Sequence, residues 1–240
     1  MKAQQEGILG VLGGMGPQAT NTFYQRIIDR TQAETDQEHL RVLIWSDAKI
    51  PDRTAGILGT PDQAEAVYAA LLAGAKLLEG AGCTVLAIPC NTSHYFADRL
   101  QAQLHIPIIH MIRETAAALA GRCPGGVVGV MATDGTVQTG IYQRTFEQSG
   151  VALLTPDSAA DQAAVMDVIY NGVKAGDLTH DVTAFRAACE HLLARGAEVL
   201  ILGCTELPPA FELYHLDYPN VDPTLELALG AIRAAGCETK

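Results

Sequence analysis

Short apolar runs alternate along the chain with longer stretches in which apolar positions return at helical spacing. "ILGVLGG" precedes "QATNTFYQRIIDRTQ", and "RVLIWS" precedes "DQAEAVYAALLAGAKLLEGAG", which leads into "TVLAIPC". Strand and helix in repeated alternation predict an α/β fold built on parallel sheet. The strand runs are almost continuously apolar, so helices are expected to cover both sheet faces.

The pattern begins again at residues 125–150, "GGVVGVMATDGTVQTGIYQRTFEQSG", repeating the glycine-bearing strand, turn and amphipathic helix of residues 7–32. Gly82 aligns with Gly196, Val85-Leu86 with Val199-Leu200 and Cys90 with Cys204, all at a constant offset of 114 residues. An ungapped register of this kind signals internal duplication. The expected architecture is α/β in two similar pseudo-symmetric lobes, residues 1–104 and 105–215, with residues 216–240 as a C-terminal helix packing back on the first. Ligands of open α/β sheets bind beyond the carboxyl ends of the strands, so the site is expected in a cleft between the lobes.

Both aligned cysteines close an apolar run and are followed by polar residues, in "AIPCNTSHYF" and "LILGCTELPP". Each precedes a segment able to begin a helix, where the positive end of the macrodipole lowers a thiol pKa from about 8.5 toward neutrality. Thr92 and Thr205 are placed to cap those helices or to bond a carboxylate. Two thiols on opposite walls of a cleft can invert an α-carbon, one removing the proton as thiolate and the other returning a proton to the opposite face. No electron sink is visible, so hydrogen-bond donors must stabilise the carbanion. Asn91, Thr92, Thr205 and the glycine turns "GGMGP" and "ATDGT" are the candidates. Glu206 is suited either to cap the second helix or to orient an ammonium.

Composition narrows the chemistry. The 240 residues carry a formal net charge of −11 without a Lys/Arg cluster, which argues against a nucleic-acid partner. The opening "MKAQQEGILG" holds no apolar signal core, and no run approaches the roughly 18 apolar residues of a membrane span, so the cytoplasm is the expected location. Six cysteines are too few for a disulfide framework, and thiols in a reducing compartment stay free. Cys83, Cys123, Cys189 and Cys237 lack polar followers and symmetric partners and read as packing residues. His94 stands at C-x₃-H from Cys90, but no second cluster of zinc spacing exists, so no metal is expected and His94 is read as beginning a helix, facing solvent or a polar neighbour. The turn "GVLGGMGPQAT" lacks both the P-loop lysine and G-x-G-x-x-G spacing, which argues against a nucleotide cofactor.

The motifs "GVLGGMGPQAT", "IPDRT", "PCNTSHYF", "MATDGTVQTGIYQ", "GVKAGD" and "LGCTELP", in that order, resemble the aspartate/glutamate racemase family, most closely its cofactor-independent aspartate racemases. The resemblance runs from about residue 7 to "VDPT" near residue 222. It implies a PLP-independent isomerase, often a homodimer, in which Cys90 and Cys204 are the catalytic bases. It further implies that Asn91, Thr92, Thr133 and Thr205 contact the α-carboxylate and ammonium, with Met15 lining the pocket. Arg53 and Lys174 match the basic positions that hold an acidic side chain, favouring aspartate, then glutamate, over a neutral substrate. The rivals are a glutamate or broad-specificity amino-acid racemase, another activity of the same superfold, such as hydantoin racemisation or a one-cysteine decarboxylation that the second cysteine argues against, and a non-catalytic amino-acid-binding protein.

Overall fold

The computed structural model describes residues 7–240, so the first six residues of the opening stretch and of the expected first lobe lie outside the described residues. In chain order the elements are β1 (Ile8–Gly13), α1 (Pro17–Arg30), β2 (Arg41–Ser46), α2 (Arg53–Leu58), α3 (Pro61–Gly80), β3 (Val85–Ala87), α4 (Ala97–Gln101), β4 (Ile108–Ile109) and α5 (Met111–Arg122). They continue with β5 (Val127–Ala132), α6 (Asp134–Gln138), α7 (Ile141–Phe146), β6 (Ala152–Leu154), α8 (Ala159–Asp167), α9 (Thr183–Ala194), β7 (Val199–Gly203), α10 (Leu207–Leu213), β8 (Asn220–Val221) and α11 (Pro223–Ala234).

Local chemistry starts several of these helices. Thr60 and Gln63 form a reciprocal capping box at α3, with Pro61 in the first turn. Asp52 caps α2 by accepting from Ala55 N at 2.8 Å, and Ser158 caps α8 by accepting from Asp161 N at 3.0 Å.

The chain divides into two compact units, one containing the residues up to Glu114 together with Thr224–Lys240, the other Thr115–Pro223. Each holds a four-stranded parallel sheet, in the order β2-β1-β3-β4 in the first unit and β6-β5-β7-β8 in the second. The shared order makes β3 and β7 equivalent strands, and each leads to one of the aligned cysteines. Two parallel sheets flanked by helices are the fold the alternation predicts.

In the first unit, Leu9, Val11 and Val85 pack with Phe23 and Ile27 of α1 and with Leu227, Ala231 and Ile232 of α11. Leu12 and Leu86 pack with Val67, Leu71 and Leu78 of α3, in a cluster that includes Met15 and Cys90. The second unit buries Met131, Leu200 and Leu202 with Val165 of α8, Phe185 of α9 and Phe211 of α10, and Cys204 joins that core.

The expectation that every apolar strand is covered fails at β2. Among the described residues this strand pairs only with β1, at the sheet edge, and Leu43, Ile44 and Trp45 remain between 36% and 40% exposed. An apolar run does not by itself distinguish a central strand from an edge.

Candidate active site

In the first unit, β3 delivers the chain to Cys90 through a tight turn, with Cys90 N donating to Ile88 O at 2.8 Å. Residues Thr92–Phe96 then form a 3₁₀ helix, and α4 begins only at Ala97. Thr92 therefore lies inside a short 3₁₀ turn, and no side chain caps its start. Cys90, Asn91, Thr92 and His94 are all buried.

His94 faces neither solvent nor the Cys90 sulfur. Its Nδ1 lies 2.9 Å from the Cys90 carbonyl oxygen, while Met111 N donates to its Nε2 at 3.1 Å. Burial pushes its pKa down to about 4, so the ring is neutral.

Met15 follows a turn that requires glycine. Gly14 has φ +92°, and a Cβ there would meet Asp47 backbone atoms at 2.3 to 2.4 Å. Ser93 Oγ donates to Met15 Sδ at 3.3 Å, and Arg53 Nη2 reaches Met15 O at 3.5 Å. Arg53 Nη1 also donates to Pro51 O at 3.1 Å and Ile50 O at 3.4 Å. The guanidinium thus lies beside the glycine turn, in contact with main-chain carbonyls.

In the second unit, Cys204 directly follows β7. Its thiol donates to Glu206 Oε2 at 2.9 Å, and Thr205 Oγ1 donates to the same oxygen at 3.0 Å. All three residues are buried, and Lys174 Nζ lies 3.9 Å from Glu206 Oε1. Glu206 occupies the position before α10 yet makes no capping bond; its carboxylate turns back to the thiol.

The expected lowering of a thiol pKa at a helix start is reversed at Cys204. Burial pushes this thiol well above its ordinary value, and the charge and hydrogen bond of Glu206 push it further in the same direction. The following helix has only seven residues, so its dipole is weak against a carboxylate at 2.9 Å.

Lys174 follows a π-helical segment, Val168–Val173, and its own N–H donates to Ile169 O at 3.1 Å. The wider turn brings Nζ 4.5 Å above the centre of the Tyr170 ring as well as to Glu206. Thr133 closes β5, where Ala132 pairs with Gly203, so Thr133 and Cys204 follow paired residues at adjacent strand ends. Thr133 Oγ1 lies 3.2 Å from Thr136 Oγ1 and does not cap α6.

The structure therefore gathers Met15, Arg53, Cys90, Asn91 and Thr92 in one unit, and Thr133, Lys174, Cys204, Thr205 and Glu206 in the other. Three neighbours escape the sequence reading. Ser93 touches Met15, Tyr170 lies under Lys174, and the fully buried Tyr142 has its phenol pKa raised by burial and by the charges of Asp222 and Cys204. Ser93 stands in the run after Cys90 and Tyr142 in the motif that begins at Met131, whereas a π-helical turn leaves no residue pattern to mark Tyr170. Cys83 and Cys189 lie in the cores, where burial raises both thiols, Cys189 to about 12. Among the described residues, no three His, Cys, Asp or Glu side chains gather as metal ligands, and no helix is long and apolar enough to cross a membrane.

Each of the two sheets of equal strand order leads to a buried cysteine among polar side chains. The chain belongs to the Asp/Glu/Hydantoin racemase family, whose profile matches residues 12–229. It is an isomerase, an amino-acid racemase. The broad specificity amino-acid racemase RacX of Bacillus subtilis (strain 168) is 26% identical over 229 residues, 94% of this chain and 96% of that protein. A glutamate racemase of Limosilactobacillus fermentum is 33% identical over 154 residues, which cover 62% of this chain but only 54% of the relative. Among solved structures, the Picrophilus torridus aspartate racemase superposes with a TM-score of 0.78 at 29% identity, covering 98% of this chain and 96% of its own.

Proposed function

We propose that this racemase inverts an acidic amino acid, aspartate before glutamate, by a cofactor-independent two-base mechanism in which Cys90 and Cys204 act as thiolate and thiol. The observation that carries the reading is the thiol of Cys204 donating to Glu206 at 2.9 Å, on the strand equivalent to the one that leads to Cys90.

In the resting form Cys204 holds its proton, so it is the acid and Cys90 the base. The Cys90 thiolate takes the α-proton as the C–H electrons become those of the carbanion. The Cys204 S–H proton then adds to the opposite face of the α-carbon. Cys90 is left as thiol and Cys204 as thiolate, the form that starts the reverse reaction. Asn91, Thr92, Thr133 and Thr205 donate to the α-carboxylate as charge moves onto it. Glu206 meets the substrate ammonium, which offsets the carboxylate charge and eases ionisation of Cys204 in the reverse direction. Arg53 and Lys174 bind the side-chain carboxylate, and Met15 lines the pocket.

Similarity to an aspartate racemase over nearly the whole chain supports the acidic substrate. Full-length similarity to a broad specificity racemase supports a second reading, a wider range of amino acids. We further propose a homodimer, with the exposed Leu43, Ile44 and Trp45 of β2 as its apolar face, and residence in the reducing cytoplasm, which suits free cysteines. Light scattering of the purified protein tests the dimer.

The function is tested by incubating the protein without added cofactor in deuterated buffer with each enantiomer of aspartate, glutamate and alanine, followed by chiral chromatography and mass measurement. Equilibration of aspartate with deuterium at the α-position is expected. Equal rates with alanine would support the broad reading, and absence of inversion and exchange with all of them would overturn both.

A further inference from the structure

We propose that His94 is a positioning residue for the Cys90 thiol: its ring ties the Cys90 carbonyl to the Met111 amide and thereby holds the backbone from which the Cys90 Cα–Cβ bond departs. The inference rests on the reading of Cys90 as a proton-transfer base.

The geometry starts from the sheet. β3 and β4 are parallel neighbours, with Leu86 opposite Ile108 and Ala87 opposite Ile109. Beyond those pairs one strand runs on to Cys90 and the other to His110 and Met111, and the His94 ring spans the two strand ends. Because Met111 N–H donates to Nε2, that nitrogen carries no proton. The proton is then on Nδ1, where it is donated to Cys90 O at 2.9 Å. Both ring nitrogens are satisfied, which is what a fully buried imidazole requires.

Holding the carbonyl fixes the plane of the Cys90–Asn91 peptide. Cys90 N is itself held by its bond to Ile88 O at 2.8 Å, so both peptides flanking Cys90 are anchored and its Cα–Cβ bond has one direction, and in a trans peptide the Asn91 N–H points opposite to the carbonyl, away from His94. One ring thus helps hold both the Cβ that carries the thiol and the amide of Asn91.

The surroundings keep the ring singly protonated. The His110 ring centroid lies 4.8 Å away, Arg113 N donates to His110 Nδ1 at 3.4 Å, and the Arg113 guanidinium, paired with Asp98 at 3.2 Å, opposes a further positive charge. A proton on Nε2 would remove the acceptor for Met111, so the arrangement persists from neutral pH to about 4.

The test compares His94→Asn, whose amide N–H falls near Nδ1, with His94→Gln, which reaches toward Nε2, and His94→Phe, which keeps the ring volume and neither bond. Circular dichroism and thermal melting report folding. The Asn variant is expected to keep kcat for aspartate within a few-fold. The Gln and Phe variants are expected to lose about 100-fold in kcat with a smaller change in KM, the scale of a misplaced reacting group. Mass spectrometry of iodoacetamide-treated protein is expected to show the Cys90 alkylation rate altered in the Gln and Phe variants while that of Cys204 stays constant. A purely structural role would move the melting temperature and leave the alkylation ratio unchanged. A folded Gln or Phe variant with wild-type kcat and Cys90 alkylation, or an Asn variant no better than Gln, overturns the assignment. Wild-type protein that fails to exchange the α-proton overturns the racemisation proposal instead, and the Cys90 alkylation ratio still decides the role of His94.

Discussion

Cys204 Sγ lies 2.9 Å from Glu206 Oε2, with the thiol as donor, and both residues are buried. A buried thiol beside a carboxylate resists ionisation, because burial and like charge act in the same direction. The sulfur is therefore stored as a proton donor rather than as a free nucleophile.

Replacing Glu206 by Gln should lower the Cys204 pKa, since the charge is lost while an amide can still accept the S–H bond. The pH dependence of Cys204 alkylation, measured in a Cys90→Ala background, reads this directly. The midpoint should move down relative to the Glu206 parent, and an unmoved or raised midpoint would remove Glu206 as the controlling group.

If the two thiols work as a unit, Cys90→Ala and Cys204→Ala should each abolish racemisation nearly as completely as the double substitution. Losses that multiply instead would mean independent contributions. The decisive assay follows each enantiomer separately, and either single variant with substantial two-way racemisation would sink the two-base mechanism.

The duplication was legible from residues because it rests on identity at fixed offset, Gly82 with Gly196 and Cys90 with Cys204, and equal strand order follows from it. The electrostatics around Cys204 were less legible. A helix start predicts a lowered thiol pKa, but burial reverses the sign, and the orientation of Glu206, a side-chain rotamer, pushes it further. His94 shows the same limit. C-x₃-H spacing is visible in sequence, yet only the pairing of β3 with β4 brings the Met111 amide to its other nitrogen. Lys174 depends on a π-helical turn whose residues, "VIYNGV", carry no signal for the extra residue per turn.

Arg53→Ala and Lys174→Ala should separate acidic from neutral substrates. A charge-assisted hydrogen bond contributes about 1.5 to 3 kcal/mol, so kcat/KM for aspartate should fall by about 10-fold to 150-fold per substitution. Turnover of alanine should change far less. Arg53 also donates to Met15 O and Pro51 O, so a modest loss of stability is expected with its removal. Equal losses for both substrates would take that residue out of the specificity site.

Stability should depend on pH through His94 and His110, whose folded-state pKa values lie at about 4 and about 3. Burial is the larger cause for both, and the neighbouring imidazole and Arg113 add to it at His110. An unfolded imidazole titrates near 6.5, so between pH 6.5 and 4 the unfolded chain binds protons that the folded one refuses. Stability is therefore full above about pH 6.5, falls as the pH drops, and levels off for each group once its folded form titrates. The slope for each histidine approaches about 1.4 kcal/mol per pH unit. Asp167, Asp177 and Asp181 are lowered by hydrogen bonds to Asn171, Thr179 and Thr183, so they act in the same direction but only below the ordinary carboxylate range. Urea unfolding at pH 7.5, 6 and 5 isolates the histidines from them. The midpoint should fall steadily across these points, and His94→Asn should remove about half of the dependence. A profile flat from pH 7.5 to 5 would mean that the folded protein protonates both rings without cost, contrary to the buried, doubly bonded state of His94.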